Sequence, residues 1–247
     1  MEKLLLISNS TMAGAPYLEW CKDTIASFYK KHNVKKVLFI PYAGVNIASE
    51  SIEASYDAYI GKVANVFSKY GIEFTSIHKE KSPVEATKNA EAICVGGGNT
   101  FHLVYMLHKT GVMSVIREKI LQGTPYCGWS AGSNIACPAL FTTNDMPIIE
   151  PESFKCLNVI PFQINPHYLD ANPEGHGGET RQQRIEEFLT VNRNTTVIGL
   201  REGTYFLIED NKISLEGIKP MIVFKYGQPI KEYQPKSDIN QFLNILS

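Results

Sequence analysis

Long apolar runs, an excess of charge of one sign and a nucleotide-binding loop are all missing from this sequence of 247 residues. No apolar stretch approaches the ~20 residues that cross a membrane, so we expect no membrane partner. The formal net charge is -1, which argues against a nucleic-acid partner because such proteins carry a basic surface. Residues 96–99 read Gly-Gly-Gly-Asn and lack both G-x-G-x-x-G and the Walker lysine, so they support nucleotide binding only weakly.

Cysteine is scarce, and the five cysteines show neither a C-x-x-C pair nor a zinc-type spacing. They are Cys21, Cys94, Cys127, Cys137 and Cys156. An odd number without paired spacing is typical of reduced, buried thiols in a cytoplasmic protein. The apolar run at residues 4–7 is too short for a signal peptide. We therefore expect a cytoplasmic location.

Short apolar runs alternate with helical patterns over the first 140 residues. The runs suit parallel strands buried on both faces, and they cover residues 4–7, 37–40, 74–77 and 92–95. Apolar residues at helical spacing cover residues 17–31, 51–70, 100–107 and 112–121. This alternation predicts an α/β fold with a doubly wound, mostly parallel sheet flanked by helices.

The second part of the chain differs in composition, with segments rich in Asn, Pro and Gly at residues 142–152 and 165–178 that are typical of loops. Predicted elements here are a strand-like run at 159–164, a helix at 179–191, strands at 197–200, 205–208 and 221–224, and a closing helix at 239–245. Asn211 and Lys212 are expected to turn a late β-hairpin. Because no repeat or interdomain linker occurs, we expect a single domain over residues 1–247.

Residues 128–132 read Gly-Trp-Ser-Ala-Gly, which fits the nucleophile-elbow pattern G-x-S-x-G. A serine hydroxyl needs both exposure and activation before it acts as a nucleophile. A strand-to-helix turn between small residues would expose Ser130, and the N–H of Ala131 would then point at a developing oxyanion. The elbow therefore predicts a catalytic serine.

A serine nucleophile needs a base, and the base needs an acid that orients it. His167 is the preferred base, because Asn-Pro-His-Tyr at residues 165–168 places it where a strand gives way to a Pro-fixed loop. His176, in a Gly-rich stretch, is the rival. Glu202 follows a short apolar strand and Asp145 follows the elbow, and both remain open as the orienting acid.

Two further features are compatible with a serine hydrolase. The glycine run that ends at Gly98 closes a strand and opens a helix, so it suits a second oxyanion N–H, although a plain tight turn would look the same. Arg181 and Arg184 lie at the start of a predicted helix, where positive charge opposes the helix dipole. One of them is a candidate to bind a substrate carboxylate bidentately, and the alternative is a solvated surface charge.

Together these residues resemble the peptidase E family, the α-aspartyl dipeptidases among the serine peptidases. The resemblance covers nearly the whole chain, and its motifs lie at residues 96–99, 128–132, 142–147, 165–167, 175–181 and 200–203. It implies a class I glutamine amidotransferase-like fold and hydrolysis of dipeptides with an N-terminal aspartate, without a metal or cofactor.

The resemblance also implies roles for individual residues. It points to Ser130 as the nucleophile and His167 as the base, with Glu202 favoured over Asp145 as the third member. Gly98 and Ala131 then supply the oxyanion N–H groups, and Arg181 is the candidate for the aspartyl side-chain carboxylate. The expected partner is a small dipeptide substrate, and the sequence does not predict an oligomeric state.

Two other functions compete with this one. A related serine hydrolase of the same fold would act on β-aspartyl polymers of the cyanophycin type, but it would need a longer groove, and the chain carries no extra insertions to build one. A catalytically silent carboxylate-binding protein is the non-enzymatic alternative. The presence of a nucleophile, a base and an acid argues against it.

Overall fold

The computed structural model of the protein describes residues 2–172, 174–175 and 177–243. Its strands are β1 Lys3–Ile7, β2 Lys36–Ile40, β3 Glu73–Ser76, β4 Ala92–Val95, β5 Tyr126–Trp129, β6 Gln163–Tyr168, β7 Thr196–Arg201, β8 Thr204–Glu209, β9 Lys212–Gly217, β10 Met221–Lys225 and β11 Lys231–Tyr233. Its α-helices are α1 Lys22–Lys31, α2 Ile52–Phe67, α3 Pro83–Lys88, α4 Thr100–Lys109, α5 Val112–Leu121, α6 Ala131–Asn134 and α7 Arg181–Val191. None of the helices in these ranges is long and apolar enough to cross a membrane.

The larger sheet has seven strands in the order β3-β2-β4-β5-β1-β8-β9. The first five are parallel, β8 runs antiparallel to its neighbour β1, and β9 runs antiparallel to β8. Alternate residues of β1 enter two different apolar cores: Leu4 and Leu6 pack on one face, and Leu5 and Ile7 on the other. Burial on both faces explains why these strands are almost entirely apolar. The predicted doubly wound, mostly parallel sheet is confirmed.

The predicted late hairpin is formed by β8 and β9. Its turn lies at Asp210 and Asn211, which both have positive φ angles, 52° and 59°. Two left-handed residues give the type I′ turn that matches the twist of the flanking strands. The turn therefore falls one residue earlier than the predicted Asn211 and Lys212.

A second sheet of four strands, in the order β11-β10-β7-β6, was not predicted as a separate layer. Its β6 and β7 are parallel. Near the end of β7, Arg201 donates to both carboxylate oxygens of Asp170, at 2.8 and 2.5 Å, and so ties the chain beyond β6 to β7. Apolar residues of both sheets, such as Leu6 and Ile198, belong to one core.

Some element boundaries differ from those predicted. The strand expected at residues 159–164 runs instead over Gln163–Tyr168, because the N–H of Val159 bonds to Ala136 and ties residues around 159 to the turn after α6. The first helix begins at Lys22 rather than residue 17, after a turn with Leu18 at φ 58°. The short α3, with Ser82 as its N-cap, was not predicted.

At the C-terminal end, the structure contains a 3-10 turn at Asn240–Phe242 where a helix over 239–245 was expected. The last two residues of that predicted helix lie outside the described residues. The turn is anchored by Phe242, which is buried in the core shared by the two sheets. An apolar closing segment is therefore present, but its described part is a single turn.

Candidate active site

Ser130 lies in a sharp turn between β5 and α6, at the carboxyl edge of the large sheet. Its backbone has φ 54° and ψ -113°, a conformation that a non-glycine residue adopts only when its surroundings enforce it. The Ser130 N–H donates to the carbonyl of Ile7, at 3.0 Å. A Cβ on Gly132 would lie 2.2 Å from the carbonyl oxygen of Val95, so the turn packs against β4 too closely for a side chain there.

His167 lies within β6 rather than in the predicted loop, at a bulge where the pairing of β6 with β7 shifts between Pro166 and Tyr168. The bulge gives His167 a positive φ of 52° and turns its side chain toward the elbow. Its Nε2 lies 3.0 Å from the Oγ of Ser130. The imidazole is thus within hydrogen-bond reach of the elbow serine.

Glu202 follows β7 directly, and its Oε1 lies 2.7 Å from the Nδ1 of His167. When Nδ1–H donates to this carboxylate, the neutral imidazole has its lone pair at Nε2, facing the hydroxyl of Ser130. Serine, histidine and glutamate therefore form one hydrogen-bonded chain. Both the imidazole and the carboxylate side chains keep about a third of their surface exposed, 38% and 35% respectively.

Ile7, the last residue of β1, and the two residues after it hold the backbone of the catalytic residues in place. The carbonyl of Ile7 accepts the Ser130 N–H, and the Oγ of Ser8 accepts the His167 N–H at 3.0 Å. The Oδ1 of Asn9 accepts the N–H of Gly203, the residue after Glu202, at 2.9 Å. Sequence reasoning missed Ser8 and Asn9. The available signal was a pair of small polar residues directly after a buried strand at the carboxyl edge of the sheet.

Asp145 lines the same cleft, but its carboxylate accepts hydrogen bonds from residues other than His167. Its Oδ2 accepts the N–H and the hydroxyl of Thr100 at 2.7 and 2.6 Å, and the hydroxyl of Thr143 at 3.0 Å. Thr100 opens α4, so this carboxylate lies at the positive end of that helix. Of the two candidate acids, the structure therefore places Glu202, and not Asp145, against His167.

Gly98 lies three residues after the end of β4, and Ala131 directly follows Ser130 at the start of α6. Gly98 has φ 136°, and a Cβ there would lie 2.2 Å from the carbonyl oxygen of Ala43, so only glycine fits. A Cβ on the neighbouring Gly97 would lie 2.8 Å from the Cβ of Ser130. Within the described ranges, neither the Gly98 N–H nor the Ala131 N–H has an acceptor. Both donors are therefore free of protein acceptors in the described structure.

A cleft of about 550 Å³ opens above these groups. Its lining consists of Ser10, Tyr59, Gly97, Gly98, Thr100, Ser130, Ala131, Thr143, Asn144, Asp145, Pro166, His167 and Arg181. Arg181 begins α7 and is partly buried. Burial lowers the pKa of its guanidinium, Arg184 lowers it further and Asp145 raises it. Since the ordinary pKa of arginine is above about 12, Arg181 remains a cation in the cleft.

Arg184, the other candidate arginine, is not among the residues that line the cleft. Arg184 is exposed on α7 and lies 3.8 Å from Glu179 at the surface. His176, the rival base, is outside the described residues. Of the candidates that the structure describes, His167 and Arg181 line the cleft.

A serine, an imidazole and a carboxylate in one hydrogen-bonded chain, beside open backbone N–H groups, define the class of serine hydrolases. The sequence comparison narrows that class. The chain belongs to peptidase family S51, which it matches over residues 4–216.

Individual relatives agree with this family. The chain is 50% identical over 246 residues to Peptidase E of Nostoc sp. strain PCC 7120, covering 100% of this chain and 98% of that protein. It is 43% identical over 239 residues to Peptidase E of Shewanella denitrificans, covering 97% and 98%. A solved peptidase structure from an acI-B1 Actinobacterium superimposes with a TM-score of 0.71 at 19% identity, covering 97% of this chain and 96% of that one, which concerns the fold alone.

These matches confirm the resemblance to the peptidase E family and the predicted α/β fold. They make the chain a hydrolase of peptides, and the family and the relatives' name support the predicted serine dipeptidase.

Proposed function

We propose that this chain hydrolyses dipeptides with an N-terminal aspartate through an acyl-enzyme on Ser130. The observation that carries the proposal is the chain of contacts from Ser130 to His167 at 3.0 Å and from His167 to Glu202 at 2.7 Å, in a cleft that also contains Arg181. The contacts supply an activated nucleophile, and the arginine supplies a cation for the aspartyl side chain.

In the first half of the reaction, the Oγ of Ser130 attacks the peptide carbonyl and its proton passes to Nε2 of His167. Glu202 holds the imidazole in the required tautomer and stabilises the imidazolium that forms. The N–H groups of Ala131 and Gly98 donate to the tetrahedral oxyanion, and each such donor typically lowers the barrier by about 3 kcal/mol. His167 then returns the proton to the leaving amine.

In the second half, a water molecule attacks the aspartyl ester on Ser130, and His167 takes its proton. The same two N–H groups stabilise the second oxyanion, and collapse of this intermediate releases aspartate and restores the serine hydroxyl. Apart from this water molecule, each step uses only groups of the chain and of the substrate. We therefore expect turnover to persist in the presence of a metal chelator.

Specificity for aspartate is supported by Arg181. A carboxylate that leaves water for a cleft is costly unless a charged donor meets it, and a guanidinium does so with two parallel hydrogen bonds. Since Asp and Glu differ by one methylene, the depth of the cleft must add to the discrimination. The volume of the cleft, about 550 Å³, suits a substrate as small as a dipeptide.

The deciding experiment compares hydrolysis of Asp-Leu, Glu-Leu and Leu-Leu by purified protein with a chelator present, with Ser130→Ala as the matched inactive control. We expect cleavage of Asp-Leu by the wild type and none by the variant. If no dipeptide is cleaved, the substrate assignment is wrong, and β-aspartyl polymers become the next substrates to assay.

Two further proposals concern the whole chain. We propose that residues 1–247 form a single domain, supported by the apolar core that the two sheets share. We also propose a cytoplasmic location. All five cysteines are buried and unpaired in the described structure, which agrees with a reducing compartment.

A further inference from the structure

Tyr59, on α2, places its hydroxyl at the junction between the glycine run and the elbow. The residue is almost completely buried, at 4% exposure, and its hydroxyl donates to the carbonyl oxygen of Gly97 at 2.9 Å. The hydroxyl oxygen of Tyr59 in turn accepts a hydrogen bond from the indole N–H of Trp129 at 3.1 Å and one from the hydroxyl of Tyr17 at 3.4 Å. With two donors on its lone pairs, the Tyr59 hydroxyl has its only hydrogen left for Gly97.

The carbonyl of Gly97 and the N–H of Gly98 belong to the same planar peptide unit. In a trans peptide these two groups point in opposite directions. A hydrogen bond that holds the Gly97 carbonyl therefore also sets the direction of the Gly98 N–H. Tyr59 thus reaches the proposed oxyanion donor without touching it.

Apart from the hydrogen bond from Tyr59, few contacts fix the orientation of the Gly97–Gly98 peptide unit. It lies between two residues without side chains, and Gly98 has φ 136°, in a region where glycine moves easily. Rotation of the unit would turn the Gly97 carbonyl, instead of the Gly98 N–H, toward the cleft. A carbonyl oxygen facing a developing oxyanion would repel it.

We propose that Tyr59 is a positioning residue that locks the Gly97–Gly98 peptide with its N–H toward the oxyanion. The inference rests on the proposed function of Ser130 and its oxyanion donors. Trp129 directly precedes Ser130, so the same hydroxyl ties the glycine run to the elbow and fixes the distance between the two donors.

Two features of the surroundings favour this role. A Cβ on Gly96 would lie 2.5 Å from the Tyr59 hydroxyl oxygen, so the glycine leaves room for the contact. Burial raises the pKa of Tyr59 to about 12, so the hydroxyl keeps its proton, and with it the bond to Gly97, near neutral pH.

The test replaces Tyr59 by Phe, which removes the hydroxyl and keeps the ring that packs against Phe39 at a centroid distance of 5.0 Å. The control is Tyr17→Phe, which removes the neighbouring hydroxyl but leaves the bond to Gly97. We expect Tyr59→Phe to lower kcat for Asp-Leu about 10- to 100-fold, a partial loss of one oxyanion donor, with KM within about twofold. Tyr17→Phe should stay within about twofold of the wild type.

A second readout separates positioning from general loss of structure. An aspartyl aldehyde forms a tetrahedral adduct with Ser130, whereas free aspartate does not. Tyr59→Phe should weaken binding of the aldehyde about 10- to 100-fold and binding of aspartate less than about twofold. Equal weakening of both ligands would indicate a distorted cleft and would overturn the proposal. A raised KM with unchanged kcat would mean that Tyr59 contacts substrate, which also overturns it.

A crystal structure of Tyr59→Phe gives an answer that does not depend on the substrate. We expect the Gly97 carbonyl in the flipped orientation, or in both orientations. A single, unchanged orientation together with wild-type kcat would refute the role of Tyr59. Failure of the wild type to cleave Asp-Leu would instead refute the proposed function, and the peptide orientation would still decide the proposal about Tyr59.

Discussion

The contact between His167 and Glu202 makes a quantitative prediction for Glu202→Gln. The amide keeps the size of the side chain and removes its charge. The ground state changes little, because the imidazole is neutral there. The transition state contains an imidazolium that the carboxylate stabilises, so removal of the charge should mainly lower kcat.

The size of the effect follows from the distance and the exposure. At the 2.7 Å that separates Nδ1 from Oε1, two unit charges attract by about 6 kcal/mol at an effective dielectric of 20 and by about 1.5 kcal/mol in bulk water. Both side chains are about one-third exposed, at 38% and 35%, so solvent screens part of the attraction. An intermediate value of about 3 kcal/mol corresponds to a fall in kcat of about 100-fold.

The assay measures kcat for Asp-Leu together with the rate at which a small sulfonyl fluoride labels Ser130. The reagent needs the activated serine but no aspartyl pocket. Glu202→Gln should lower both rates. Asp145→Asn is the matched control, because its carboxylate bonds to Thr100 and Thr143, and it should retain the labelling rate. Normal labelling in Glu202→Gln with loss in Asp145→Asn would refute the assignment of Glu202.

Three other changes test neighbouring parts of the structure. Ser8→Ala removes a buried hydroxyl that accepts from His167 and donates to the Leu200 carbonyl at 2.7 Å. It should lower the free energy of unfolding by about 1–3 kcal/mol in urea titrations and also lower kcat, and an unchanged kcat would contradict its positioning role. Arg181→Gln should reduce kcat/KM for Asp-Leu about 100-fold through lost charge-assisted hydrogen bonds, while the exposed control Arg184→Gln stays near the wild type; equal losses would contradict the pocket assignment. Burial raises the pKa of Cys21 from 9.0 to about 12, so the stability it contributes is complete below pH 9 and is lost as the pH rises from 9 toward 12. Denaturant titrations of wild type and Cys21→Ala across that window measure this loss, and identical pH profiles would refute it.

The parallel strands and the elbow could be predicted because their signals are local. Residues 4–7 and 92–95 are apolar at every position, which is what burial on both faces requires. The G-x-S-x-G pattern is likewise a local requirement, since a Cβ on Gly128 or Gly132 would lie within 2.4 Å of a backbone carbonyl oxygen. The hairpin could be predicted for the same reason, because its turn needs residues that accept positive φ.

The second sheet and the support of the site could not be predicted, because they depend on distant pairings. Nothing in the pattern of residues 197–200 says whether that strand joins the large sheet or pairs with β6. The bulge at His167 arises from a register shift against β7, and the order of residues around it reads equally well as a loop. Ser8 bonds to the backbone of a residue 159 positions away, so its role depends on the folded topology.

Glu202 and Gly203 are the two-residue link between β7 of the small sheet and β8 of the large sheet. Ser130 extends from the large sheet and His167 from the small one, so the chain of contacts crosses the seam between the two layers. Any shear along that seam would separate the proton donor from its acceptor before either sheet lost a strand. Turnover therefore depends on the relative position of the two sheets. Activity should disappear at a lower denaturant concentration than the one at which the circular dichroism signal of the sheets is lost.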